Sequence, residues 1–171
     1  PDGSFLDAEG SDLLTVTAHT LTDDACPSAT ASMVMALRRV GLMAERDDFV
    51  RRADEASGAL LPVVASTPRF AGWALADFLI ADEARRGLKP AGVVIADTQE
   101  EPTDLAAAAW RMAPAGSAIM RRVGEGSGFG TWFEDRAPRD GQPMCWVCRG
   151  KVCFEPVTEY LELKDPLWRR A

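Results

Sequence analysis

A single histidine, His19, serves the whole chain of 171 residues. Two-histidine metal motifs are therefore impossible, and a Ser-His-Asp triad would have to use His19, in a stretch without a nucleophile elbow. Cysteine is scarce as well. Cys26, Cys145, Cys148 and Cys153 are the only four, three of them within one short stretch. That is not the composition of a secreted disulfide scaffold, and a reducing cytoplasm is the expected compartment. No apolar run has the length needed to span a bilayer, and no stretch reads as a secretory leader. Basic residues are outnumbered, 19 against 26 acids, for a formal charge of −7. A surface this acidic repels phosphate backbones and anionic headgroups, so neither nucleic acid nor membrane is an expected partner. The arginine pairs at 38–39, 51–52, 85–86 and 121–122 are interleaved with acids and read as solvated ends of helices and strands.

What the chain does have is apolar residue, 47% of the total, enough for the core of one domain or of a domain with an appendage. Residues 1–88 read as a helical region behind a polar arm broken by Gly3 and Gly10. Within the arm, Leu13-Leu14-Thr15-Val16-Thr17 alternates like a short strand. Pro27 sits where a helix can start, Val34, Leu37 and Val40 recur at helical spacing, and Gly41 after Arg38-Arg39 predicts the stop. Asp47 or Asp48 is expected to cap a second helix through Phe49, Val50, Ala53, Ala56 and Leu60, which Pro62 should end or kink. Thr67 as N-cap and Pro68 in the first turn predict a third, through Phe70, Trp73, Ala74, Asp77 and Phe78, closed by Gly87.

Residues 89–171 have another texture. Val93-Val94-Ile95-Ala96 is continuously apolar and mostly β-branched, as a buried strand should be. Thr103-Asp104 opens a helix with Leu105, Ala108, Ala109 and Met112 on one face. Ser117 to Val123 then reads as a second strand. A helical crossover between the two predicts parallel neighbours. Last comes a hairpin, Met144 to Cys148 and Val152 to Phe154, turned at Gly150-Lys151. The expected fold class is mixed α and β, three helices followed by a small β-α-β-hairpin tail.

Few motifs carry chemistry. Cys145, Cys148 and Cys153 resemble three zinc ligands, but a fourth is absent nearby, and odd spacing on a strand points Cys145 and Cys148 to opposite faces. A two-residue turn pairs Arg149 with Val152 and sets Cys148 opposite Cys153, at a site where α-carbons approach to about 4.5 Å. A cross-strand structural pair is the expectation. Gly124-Glu125-Gly126-Ser127-Gly128-Phe129-Gly130 lacks the lysine of a phosphate loop and reads as a strand connection. The acid pairs at 23–24, 47–48 and 100–101 sit beside helix starts and read as caps, not catalytic dyads. Trp73 and Trp110 lie at core spacing, which leaves Trp132 and Trp146 as the candidates for stacking a sugar ring. No catalytic residue, metal site or cofactor is predicted.

The tail Arg136-Ala137-Pro138, Asp140-Gly141, Trp146-Val147-Cys148, Cys153 and Pro156-Val157-Thr158 resembles that of YyaL-type proteins, which include the spermatogenesis-associated thioredoxin-domain-containing protein of animals. Upstream, Gly3-Ser4-Phe5-Leu6-Asp7 is similar to the family's Gly-Phe-Phe-Asp segment, and Asp23, Ala25, Pro27 and Ser28 fall on its signature loop. The resemblance implies that the three helices are the last hairpins of an α/α toroid of the epimerase or six-hairpin glycosidase kind, without the thioredoxin-like domain. It also implies that the signature loop faces the toroid centre, where a small sugar-like ligand would bind. Asp24 and Ala29-Thr30-Ala31 replace the amide side chains usual in that loop. The resulting expectation is a noncatalytic carboxy-terminal segment whose partner is the remainder of the parent protein. The alternatives are part of a carbohydrate-active toroid enzyme, or a protein-interaction module. Helices severed from toroid neighbours should expose an apolar strip including some of Val34, Leu37, Phe49, Phe70 and Phe78.

Overall fold

The structure, a computed structural model, describes residues 3–7, 18–124, 131–150 and 152–169. The predicted alternating arm at 13–17, most of the glycine-rich connection and Lys151 of the hairpin turn lie outside the described residues. The fold class is mixed α and β, with five helices and a four-stranded mixed sheet among the described residues. The chain divides into two units, Pro1–Gly41 with Arg46–Asp82, and Leu42–Glu45 with Glu83–Ala171.

The first unit holds α2 (Asp47–Ser66) and most of α1 (Ala29–Met43) and α3 (Gly72–Arg85). Ser28 caps α1, its Oγ accepting from the Ala31 N–H at 3.2 Å. Gly41 does not stop this helix. It is buried inside it, where a β-carbon would lie 2.9 Å from Val50 Cγ2 and 3.1 Å from the Arg46 carbonyl. The glycine serves the close approach of α2. The left-handed terminating residue is Glu45, with φ 53°, and Arg46 N–H closes the turn on the Gly41 carbonyl at 2.8 Å.

Pro62 likewise fails to end α2, which continues to Ser66. The carbonyl it deprives of a donor belongs to Gly58, an exposed position where water can take the bond. Thr67 finishes α2 instead of capping α3: its N–H and its hydroxyl both donate to the Val63 carbonyl. A single 3-10 turn, Pro68–Phe70, intervenes before α3. Asp48, expected as a cap, pairs its carboxylate with Arg46 at 2.6 Å. Gly87 takes φ 98° just past α3, as expected of a stop.

Small residues dominate the core of this unit. Ala31, Val34, Ala53, Ala56, Leu60, Ala71 and Ala74 are buried, with Phe5, Leu21, Leu37 and Phe78 packed at the edge. Such short side chains let the helices approach closely enough for one polar bridge. Asp77 of α3, 1% exposed, accepts from Arg38 of α1 through Nε at 2.6 Å and Nη2 at 3.2 Å, and from Ser57 of α2 at 2.9 Å. Of the five apolar side chains expected on an exposed strip, Val34 is buried and Leu37, Phe49 and Phe78 are half-buried; Phe70 is exposed.

In the second unit the strand order is β2-β1-β3-β4, with β1 Gly92–Asp97, β2 Ala118–Val123, β3 Met144–Arg149 and β4 Val152–Cys153. β1 and β2 are parallel, Gly92 opposite Ala118, joined by the crossover helix α4 (Asp104–Met112). Thr103 caps α4 by accepting from Ala106 N–H at 3.4 Å. β1 is buried along its whole length because both faces are covered. Val93, Ile95, Cys145 and Val147 meet Leu105 and Ala109 of α4 on one face. Val94, Met120 and Cys148 meet Trp132 and Phe133 on the other.

A short helix, α5 (Lys164–Trp168), follows a 3-10 turn at Tyr160–Leu163 and sends Leu163 and Leu167 into the core. Arg149, 3% exposed, ties this end down by donating to the carbonyls of Lys89, Leu167 and Arg169. Among the described residues no helix is long and apolar enough to cross a membrane.

Gly92 permits a close approach of an indole to the sheet. A β-carbon there would stand 2.4 Å from Cη2 of Trp132, whose indole is 7% exposed and held by an Nε1–H bond to the Leu42 carbonyl at 3.2 Å. Gly92→Ala is therefore expected to cost about 1–3 kcal/mol through overpacking. Urea denaturation checks this, and near-ultraviolet circular dichroism should report the displaced indole.

Candidate functional site

The signature loop is built around Asp23. Its Oδ1 accepts from Ser28 N–H at 2.9 Å and its Oδ2 from Trp73 N–H at 2.9 Å. One carboxylate thus holds the amino-terminal ends of α1 and α3 together, where the helix dipoles favour negative charge. The N–H of Asp23 completes the tie by donating to the Phe70 carbonyl at 2.7 Å. Ala25 and Pro27 lie in the connection between Asp23 and the Ser28 cap. Beside them is a cavity of ≈ 440 Å³ lined in part by Asp7, Thr20, Asp24, Cys26 and Ser28. Ala25, Pro27 and Ser28 line that cavity, whereas the Asp23 carboxylate is occupied by backbone donors.

The three clustered cysteines separate. Cys145 lies in the core on the α4 face of the sheet, with Cys148 on the opposite face. Burial pushes the Cys145 thiol up to about 12, which leaves it protonated and inert at neutral pH. Cys148 stands directly opposite Cys153, α-carbons 3.9 Å apart, and the two are joined by a disulfide. Cys26 is free and exposed. Among the described residues no group of three or more His, Cys, Asp or Glu side chains could hold a metal ion.

A second cavity, of ≈ 430 Å³, opens at the carboxyl end of β1 and the amino end of α4, lined in part by Thr98, Gln99, Thr103, Gln142 and Tyr160. In open sheets with parallel strands this is where ligands gather. Asp104 and Glu159 also line it, while the buried charge of the neighbouring Asp97 is already committed. Asp97 accepts from Arg121 Nε at 2.6 Å, from Thr98 N–H at 2.9 Å and from Thr103 N–H at 3.4 Å. The second arm of Arg121 is spent on the carbonyls of Gln99 and Glu100. Glu100 and Glu101, expected as caps, leave that role to Thr103. The spacing argument for the tryptophans is reversed: Trp73 and Trp110 are exposed, at 44% and 61%, while Trp132 is buried. Both helices are short of neighbours on those faces, so helical spacing marked a stripe that the fold leaves open. His19 is exposed, with Nδ1 3.0 Å from Ser4 Oγ.

The buried Asp77–Arg38 and Asp97–Arg121 pairs were not legible as sites. Asp77 sits on the apolar face of its helix, and that was the available signal for it. No family model matches the chain, nor does any curated protein or solved structure.

Proposed function

We propose that the chain is a noncatalytic carboxy-terminal segment of a YyaL-type protein, with α1, α2 and α3 completing an α/α toroid. The observation that supports this reading is the set of large apolar side chains left open on the helical unit: Met33, Val40, Leu61, Phe70, Trp73 and Leu79, each at least 41% exposed. Large apolar side chains left in water on packed helices are what a docking face presents, and further helical hairpins of the same kind are the occupants that the resemblance implies. The buried charges are consistent with a structural role, since each is engaged by partners that hold elements together.

The chain alone should bind a hydrophobic dye such as anilinonaphthalene sulfonate. Leu61→Glu with Leu79→Glu should cut that fluorescence several-fold while leaving the denaturation midpoint unchanged. A wild-type chain that binds no dye, or a variant that unfolds because these positions belong to a closed core, would count against the reading.

The cavity beside the signature loop favours a second reading, a site for a small sugar-like ligand in a carbohydrate-active toroid. Its hydroxyls and carboxylates can exchange hydrogen bonds with sugar hydroxyls. Titrating the same sample calorimetrically with an N-acetylated hexosamine separates the two, since heat is expected only under the second.

A further inference from the structure

We propose that Cys148 and Cys153 form a thiol–disulfide exchange site for a dithiol reductant, with Arg136 as the residue that stabilises both sulfurs as thiolates. This goes beyond the structural role argued above and does not depend on it.

Access is one-sided. Cys153 is exposed on β4, a two-residue strand at the edge of the sheet, whereas Cys148 is 1% exposed on β3. A thiolate arriving from solvent therefore meets the sulfur of Cys153. A new sulfur–sulfur bond forms there, the Cys148–Cys153 bond breaks, and its electron pair leaves on Cys148 Sγ. A thiolate generated in that buried position is disfavoured by burial alone, as the raised Cys145 thiol on the same strand illustrates. Arg136 offsets this, since its Nη2 lies 4.0 Å from Cys148 Sγ. The second thiol of the reductant then attacks its own mixed sulfur and releases Cys153 as the leaving group. That sulfur is 3.2 Å from the same Nη2. The dithiol ends as its own disulfide. Its two protons balance the two protein thiols.

The guanidinium is held in place for this. Nη1 donates to the Trp132 carbonyl at 2.5 Å, and the Arg136 carbonyl accepts from Arg122 Nη2 at 2.8 Å. Among the described residues no carboxylate forms an ion pair with Arg136, so its charge remains directed at the sulfurs. Reduction should also leave the fold intact. The bridge closes a separation of five residues, a short loop that restricts the unfolded chain little, and β3 keeps its full pairing with β1.

The test uses the full chain. Dithiothreitol without denaturant should reduce the bridge, read as a mass shift on alkylation, with unchanged far-ultraviolet circular dichroism. In the reduced protein, the iodoacetamide reactivity of Cys153 against pH should have its midpoint about one unit below the ordinary thiol value of about 8.5. Arg136→Gln should return the midpoint to about 8.5 and slow native reduction about tenfold, while Arg136→Lys keeps the wild-type profile. A wild-type midpoint at or above the ordinary value overturns the proposal. So does an Arg136→Gln profile identical to wild type, or a bridge reduced only after unfolding. Should Arg136→Gln fail to fold, the wild-type midpoint and the Arg136→Lys profile decide it.

Discussion

Arg38→Leu should lower the unfolding free energy by about 3–5 kcal/mol, because it strands a buried carboxylate. Asp77 is 1% exposed and would retain only the Ser57 hydroxyl at 2.9 Å. Asp54, the other partner of Arg38 at 2.6 Å, has a side chain 63% exposed and would simply return to water. The guanidinium shows the same balance from its own side. Burial pushes its pKa down, but the hydrogen bonds to Asp77 and then to Asp54 outweigh that, and the net shift is upward. The cost therefore arises from the unpaired acid more than from a lost surface contact. Arg38→Met combined with Asp77→Leu tests this, because replacing both charges by apolar volume should restore most of the stability. Urea denaturation of the two variants and the wild type settles the comparison. A double variant as unstable as Arg38→Leu alone would show that packing around the bridge, and not its charge balance, is what matters.

Local patterns predicted the sheet and α4 of the second unit closely because those elements are specified by nearby residues, whereas the closing 3-10 turn and α5 went unread. The apolar run at 93–96 became β1, and the Thr103 hydroxyl capped α4 where the sequence placed a helix start. Parallel pairing of β1 with β2 follows from the crossover helix. In the first unit the punctuation residues misled. Gly41, Pro62 and Thr67 all carry helix-ending or helix-starting signals, and none of them ends or caps a helix where its signal placed it. Gly41 is needed for interhelical closeness, which no local rule registers. Thr67 spends its hydroxyl on the turn behind it, while Asp23, fifty residues before Trp73, supplies the acceptor that α3 needs.

The candidate sites divide in the same way. A two-residue turn fixes the register that faces Cys148 with Cys153, so that proximity could be read from sequence. The Arg136 guanidinium beside those sulfurs could not, since it comes from a separate turn that packs under the hairpin. Asp23 stood out by its position before a helix, but its second helix is invisible without the fold. Asp97 and Arg121 are separated by the whole crossover and meet only because β1 and β2 pair in parallel, Ile95 opposite Arg121.

That meeting should make the stability of the second unit depend on pH at the acid end. Asp97→Asn should cost about 3 kcal/mol at neutral pH, the scale for breaking a buried charged pair. The carboxylate is fully buried and accepts three bonds from Arg121, Thr98 and Thr103, each a donor. An amide keeps one acceptor oxygen and turns its NH₂ group toward donors that it cannot satisfy. Burial pushes the Asp97 pKa upward, but the Arg121 hydrogen bond and the backbone N–H groups more than reverse it, leaving it below 3.8. A depressed folded-state pKa means that the unfolded chain takes up its proton first as pH falls. The stabilisation is therefore complete above the unfolded value of about 3.9 and disappears as pH drops through the folded value. Wild-type and Asp97→Asn urea midpoints should differ most at pH 7 and converge below about pH 4. A gap that stays constant down that range would assign the effect to packing and remove the charge from the account.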